Sequence, residues 1–356
     1  MNKLKLLVII LFFGLTSFFS LGMLIPGASD LAEGGGKPGF ILKDSDSLIP
    51  INRRFGTEFE DYLSKAFAYR GKVVDAYSDL KLKLFREGND QVIAGRDGYL
   101  FYSQTLEAFT GENPMTDDEI ESAALSLLNL QKYSEETGAK FCFLAAPDKN
   151  TIFPEKMPKR YKKADVTDLD RLLSKLDELG VAYVDPRNEL IKAKDSDIYF
   201  LTDTHWTANG AFIALRLLGE KLGFDVVDTS KMNLLVNRIN GDLDSLLYPS
   251  KKLTEAYDTF NYEDSFIYTL AFQTGMDMVI TTRGSGNGKA VFFRDSFMNM
   301  MLEPAASSFA EAVFERANPF RVDLADADYI IVEIAERNLR NLIGCDGRIT
   351  QKEVDT

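Results

Sequence analysis

The sequence is sparing with the residues on which metal and redox sites depend. Among 356 residues there is one histidine, one tryptophan and two cysteines. With Cys142 and Cys345 far apart and only His205 beside them, no cluster has zinc-finger or CxxC spacing, and neither a metal nor a cofactor is expected. Cys142 lies in "KFCFLAA", which reads as a buried strand where a thiol serves as a small apolar filler; pairing with Cys345 would need an oxidising compartment. Basic charge is also short. Lys and Arg number 41 against 54 Asp and Glu, a net charge of −13 that repels phosphate backbones and argues against a nucleic-acid partner. Internal repeats and low-complexity tracts are missing as well, so the chain does not read as a solenoid or an array.

Charge of either sign is missing between Lys5 and Asp30. The run from Leu6 to Ser29 is long enough to cross a bilayer, which takes about 20 apolar residues, and Lys3 and Lys5 would hold its start in the cytoplasm. A cleaved signal peptide ending at "PGAS" is the alternative, although the run exceeds the roughly 7–15 residues of an ordinary signal core. Either way the bulk of the chain is expected outside the cytoplasm: tethered by a single-pass anchor, or secreted or periplasmic after cleavage. With no cysteine between residues 20 and 30, a lipid-modified N-terminus is not expected.

Three segments follow from this reading: residues 1–29 as anchor or signal, 30–90 as spacer and amphipathic helix, and 91–356 as the main domain. "DLAEGGGKPGF" has the glycine content of a flexible spacer, and 52–86 repeats apolar residues at helical spacing. "VIAGRDGYLFY" (92–102) places Asp97-Gly98 between two apolar runs, a hairpin signal. From residue 117 helices and strands alternate. Helices ending at Gly138 and Gly180 precede the strands "KFCFLAA" and "VAYVD"; a helix opens near Thr207; "AVFF" and "YIIVEI" read as further strands. Near-continuous apolar strands between helices predict an α/β fold with a mainly parallel sheet covered on both faces. Residues 230–288, polar and tyrosine-rich, read as an insertion over one end of the sheet.

In open α/β sheets ligands bind beyond the carboxyl ends of the strands. Asp148 and Lys149, Asp203 and His205, Asp295 and Ser296, and Glu336, Arg337 and Asn338 all fall there. Ser296, where "AVFF" turns into a helix, would expose its hydroxyl at the sheet edge, and the Phe297 N–H is a candidate oxyanion donor. A serine needs a base, and His205 is the only imidazole, with Asp203 two residues earlier able to hold its ring. A serine at a helix start is equally a common N-cap, and "DTHW" a plausible capped helix entry.

"TDTHWTANGA" together with "FFRDSF" resembles the SGNH-hydrolase-like proteins of the alginate O-acetylation group (AlgX/AlgJ-like), and within them the branch called DHHW proteins. "VIAGRDGYLFY", "APDKNTIFPEKMP", "GDLDSLL" and "VEIAERNL" are also similar to the family, so the resemblance runs from about residue 50 to 342. It implies a three-layer α/β/α fold and a triad of Asp203, His205 and Ser296. The Asp-His motif precedes the serine, the circularly permuted order. Arg294 stands where the family commonly has glycine, and the asparagine of the oxyanion hole has no clean match, Arg337 and Asn338 lying nearest. The implied activity is O-acetylation of a cell-surface or secreted polysaccharide through an acyl-serine, the acetyl group coming from a multi-pass membrane acyltransferase partner. An acetylesterase with the same triad, or a non-catalytic polysaccharide-binding or assembly protein, are the alternatives. Lys149, Trp206, Arg294, Arg337 and Asn338 are the candidate substrate contacts, Trp206 as a sugar-stacking face.

Overall fold

The computed structural model describes residues 70–251, 253–316, 320–322 and 326–345, with scattered positions between 6 and 17. Most of the apolar 6–29 run and the whole 30–69 spacer lie outside the described residues. Among the described residues no helix is long and apolar enough to cross a membrane.

The described chain divides into two units. One holds the residues up to Asn89 together with Asp244–Lys252, and the other Asp90–Leu243 and the chain from Leu253 onward. In the first, helix α1 (Arg70–Phe85) is joined to the 244–252 segment by polar contacts: Ser78 Oγ donates to the Leu247 carbonyl at 2.8 Å, and Asp79 meets Lys251 at 2.5 Å.

The second unit opens with a hairpin, β1 (Val92–Ala94) and β2 (Leu100–Tyr102), turning at the expected Asp97-Gly98, both at positive φ. Then follow α2 (Asp117–Glu136), β3 (Lys140–Ala146), α3 (Asp168–Leu179), β4 (Tyr183–Val184) and α4 (Ala208–Leu222). Thr116 and Thr167 close capping boxes on α2 and α3, satisfying N–H groups that a helix leaves open at its start. A two-stranded ribbon, β5 (Leu234–Ile239) and β6 (Glu255–Phe260), precedes β7 (Phe266–Tyr268), β8 (Val279–Gly284), β9 (Lys289–Phe293), α5 (Leu302–Ser308), β10 (Glu311–Glu315) and β11 (Tyr329–Ala335).

Seven strands form one sheet in the order β4-β3-β11-β9-β10-β8-β7. The first five run parallel; β8 and β7 add on antiparallel. Strand alternation shows why both faces are covered. Cys142, Leu144 and Ala146 of β3 join a core with α4 and α5 residues such as Leu215 and Ala305, while Phe141, Phe143 and Ala145 join one with Leu127 of α2 and Leu172 of α3. This is the α/β/α layering the sequence implies. Cys142 and Cys345 fall in these two different cores on opposite faces, so no bond joins them.

The expected 230–288 insertion divides in two. The β5–β6 ribbon stands outside the central sheet, but β7 and β8 belong to it, because β8 pairs with β10 over five residues, Val279 to Arg283. Strand β10, "EAVFE", carries glutamates on its exposed face and lacks the continuous apolar run that marked its neighbours.

Candidate active site

The site stands at the carboxyl ends of β3, β9 and β11. Asp203 and His205 belong to a tight loop whose ends meet in an isolated antiparallel bridge between Tyr199 and Trp206. Asp203 Oδ1 accepts from His205 Nδ1 at 2.7 Å and from the His205 N–H at 2.9 Å, while Oδ2 accepts the Asp242 N–H at 2.9 Å. Burial works against the Asp203 charge, but the His205 ring and these N–H groups outweigh it and draw the pKa down to about 2. With Asp203 ionised, Nδ1 is the donor and Nε2 the acceptor. His205 Nε2 lies 2.8 Å from Ser296 Oγ.

Ser296 occupies the turn after β9, at the start of a short 3-10 helix (Phe297–Met300), yet its side chain makes no capping bond. Asp295 takes that role, its Oδ1 accepting the Phe297 N–H at 2.9 Å and its Oδ2 the Ala335 N–H at 2.9 Å and Asn338 Nδ2 at 3.0 Å. The helix that follows the histidine is likewise capped by Thr207, not by Asp203. Both capping alternatives left open by the sequence are therefore filled by neighbouring residues, and Ser296 is directed at the imidazole.

Asp203 Oδ1, His205 Nδ1 and Asp242 lie close enough together to resemble a metal-ligand set. Their acceptors are already engaged: Asp242 receives the Thr204 N–H at 2.8 Å and the Thr204 hydroxyl at 2.6 Å.

The candidate substrate contacts fare unevenly. Trp206 has no exposed surface; its ring packs edge-on against Phe297 and its Nε1 donates to the Phe297 carbonyl at 2.8 Å, so it is a core residue and offers no face to a sugar. Lys149 is buried too, its ammonium donating to the carbonyls of Phe200, Leu201 and Asp203 at 2.9, 3.0 and 2.7 Å, which leaves no proton for a substrate. Arg294 is buried and ties the Asp277 carbonyl to the Asn299 side chain rather than facing the triad. The Phe297 N–H points into Asp295 and Asn338 binds the same carboxylate, so neither is positioned as an oxyanion donor; the Ser296 N–H meets no acceptor among the described residues.

Arg337 stays at the site. Its guanidinium bonds Asp148 Oδ1 at 2.6 Å and lies 5.0 Å from the centre of the Phe297 ring, which also packs against the His205 ring at 4.9 Å. From there it lines a cavity of about 220 Å³ with Gln104, Glu107, Asn113, Asp168 and Arg340.

Three acidic residues of the site were not singled out from the sequence. Asp242 braces Asp203, and its stretch "GDLDSLL" was visible only as a family likeness. Gly241 lets that turn approach, since a Cβ there would stand 2.2 Å from the Thr202 carbonyl. Glu255 accepts the Leu201 and Thr202 N–H groups at 2.7 and 3.0 Å. Glu333 lies wholly buried under the serine turn and accepts the Asp295 N–H at 3.1 Å. A lone acid inside "YIIVEI" was its signal.

Residues 92–257, which include Asp203 and His205 but end before Ser296, match the family described as SGNH hydrolase-like domain, acetyltransferase AlgX. A protein of Pseudomonas aeruginosa named probable alginate O-acetylase AlgJ is 26% identical over 200 residues, 55% of this chain and 48% of that protein. The chain thus spans about half the length of this curated relative. Among solved structures, a DHHW family protein from Eubacterium siraeum has a TM-score of 0.53 at 14% identity, covering 73% of this chain and 95% of that one. Bacillus cereus PatB1 with a sulfonyl adduct has 0.55 at 17% identity, covering 72% and 99%. The structural likenesses show the fold, and over residues 92–257 the sequence is similar to the SGNH hydrolase-like domain of the acetyltransferase AlgX.

Proposed function

We propose that this protein is an O-acyltransferase that moves an acetyl group onto a polysaccharide hydroxyl through an ester on Ser296. One observation carries the reading: Ser296 Oγ and Asp203 Oδ1 stand 2.8 and 2.7 Å from opposite nitrogens of the only imidazole in the chain. The relatives named as alginate O-acetylases favour transfer to a glycan.

Ser296 Oγ attacks the donor's acetyl carbonyl while its proton passes to His205 Nε2, and ionised Asp203 stabilises the imidazolium. The Ser296 N–H is the chain's candidate for holding the oxyanion. The imidazolium returns the proton to the leaving oxygen, which departs and leaves acetyl-Ser296. In the second half a sugar hydroxyl gives its proton to Nε2 and attacks the ester; the O-acetyl product departs as the imidazolium returns that proton to Ser296 Oγ, restoring the serine. Asp203 and His205 precede Ser296 in the chain, the permuted order, which does not affect the geometry a triad requires.

The reading places the domain outside the cytoplasm, tethered by residues 6–29 or released after them, with a multi-pass membrane acyltransferase delivering the acetyl group. A C-terminal reporter active only in the cytoplasm would overturn that placement. An acetylesterase would use the same three residues with water as acceptor. The deciding experiment supplies a chromogenic acetyl ester with and without a polysaccharide acceptor, with Ser296→Ala as control. Ser296-dependent O-acetylation of the glycan supports the transferase; release of acetate alone supports the esterase; no Ser296-dependent turnover rejects both.

A further inference from the structure

We propose that Lys149 and Glu255 are positioning residues that fix the Asp203–His205 loop in its reactive shape, one gripping the loop's carbonyls and the other its N–H groups. The proposal rests on the triad reading above, but its test does not depend on turnover alone.

A loop of six residues between Tyr199 and Trp206 has few bonds of its own; within it, the Phe200 N–H reaches the His205 carbonyl at 3.3 Å. Other backbone groups take partners from outside the loop. The Lys149 ammonium fills the inside. Its three protons match the carbonyls of Phe200, Leu201 and Asp203, and it is itself fixed by the first turn of the short helix Lys149–Ile152 that follows β3. The Glu255 carboxylate, at the first residue of β6, takes the Leu201 and Thr202 N–H groups and the Thr202 hydroxyl, the last at 2.8 Å. Leu201 is thus held at both its carbonyl and its N–H by side chains of opposite charge. Two residues on, Asp203 bonds the imidazole.

The buried charge of Lys149 is supported by the surroundings that its position creates. Burial draws its pKa down to about 8, and the fields of Asp203, Asp242 and Glu255 oppose that fall. A cation at this place therefore serves two ends: it satisfies three carbonyls, and it favours the ionised Asp203 that the imidazole requires. The bonds of Lys149 and Glu255 go to the loop and those of the serine hydroxyl to His205, so each acts through the loop.

The single histidine makes the test direct. In the full-length protein labelled with nitrogen-15, the one imidazole gives one low-field Nδ1–H proton signal while it is bonded to Asp203. Lys149→Met removes the three donors and keeps the apolar stem; it is expected to abolish or shift that signal, and to lower kcat by about a hundredfold with KM for the ester little changed. Glu255→Ala is the companion variant, expected to shift the same signal and to lower kcat while the fold persists. Lys149→Met or Glu255→Ala protein that is folded by circular dichroism, with a wild-type signal and wild-type kcat, would overturn the proposal. If Lys149→Met does not fold, the Glu255→Ala signal and kcat decide in the same way. A wild type with no Ser296-dependent turnover would reject the enzymatic reading alone, and the signal would then decide the clasp.

Discussion

Glu333 and Asp295 meet beneath the serine turn, the Glu333 carboxyl accepting the Asp295 N–H at 3.1 Å from a position with no solvent exposure. Burial, together with the nearby Asp295 carboxylate, pushes the Glu333 pKa well above the usual range, which favours its neutral form. Glu333→Gln preserves both the acceptor and the neutrality, and is expected to retain ester turnover and melting temperature. Glu333→Ala leaves the Asp295 N–H buried without a partner, costing about 1–3 kcal/mol, and loosens the turn that carries Ser296. Melting curves and ester turnover of the two variants check this; equal loss in both would contradict it.

Removal of His205 or Ser296 should affect chemistry far more than folding. His205→Ala and Ser296→Ala are each expected to lower acetyl transfer or ester hydrolysis by at least about a thousandfold. The double variant should be little worse than either, because the residues act as a unit. Stability should move by no more than about 2 kcal/mol, an ordinary mutational cost. Purified His205→Ala with near wild-type turnover would reduce this histidine to a packing residue.

Trp206 should behave in the opposite way. As a fully buried ring with its Nε1 on the Phe297 carbonyl, its loss in Trp206→Ala is expected to cost about 3–5 kcal/mol. Trp206→Phe, which keeps an apolar ring but abandons that carbonyl, should cost about 1–3 kcal/mol and leave KM for a saccharide acceptor unchanged. A rise in acceptor KM without loss of stability would restore the stacking role.

The pH dependence of stability should carry the mark of Glu336. Burial, and then the charge of Asp148, raise its pKa from 4.5 to about 7. The folded chain therefore holds a proton that the unfolded chain releases between those values, and stability is present below about pH 4.5 and declines as pH rises through 7. Glu336→Gln removes this titration while keeping an oxygen for the Asp148 N–H. The variant is expected to gain about 2 kcal/mol on the wild type between pH 5 and pH 8 in denaturant titrations. Parallel pH profiles would show that Glu336 is not buried as described.

The layered fold was legible because β3, β9 and β11 are apolar on both faces, and periodicity reads that directly. Asp203, His205 and Ser296 were candidates for a different reason: the chain has one imidazole, and the family resemblance, not residue chemistry alone, chose the triad over the capping readings. The surrounding assignments failed where long-range packing decides. Nothing local in "DTHW" distinguishes a buried Trp206 from one facing solvent; the Phe297 turn, distant in sequence, closes over it. Lys149 looked like a loop lysine because its three acceptors are backbone carbonyls, which leave no trace in residue identity. The same holds for Phe297, whose N–H appears available until Asp295 is known to turn back on it.

Among the described residues, the last strand in sequence, β11, is an interior strand of the sheet, third of seven in the order. β11 enters between β3 and β9, with Tyr329 paired to Lys140 on one side and to Ala290 on the other. Until it arrives, β3 and β9 present open edges, and Asp295 lacks the Ala335 N–H that helps set the serine turn. The sheet is complete only with β11 in place, and its pairings with β3 and β9 join residues far apart in sequence. A chain that ends before Ala335 would retain Asp203, His205 and Ser296 in its sequence and lack the N–H that donates to the Asp295 carboxylate.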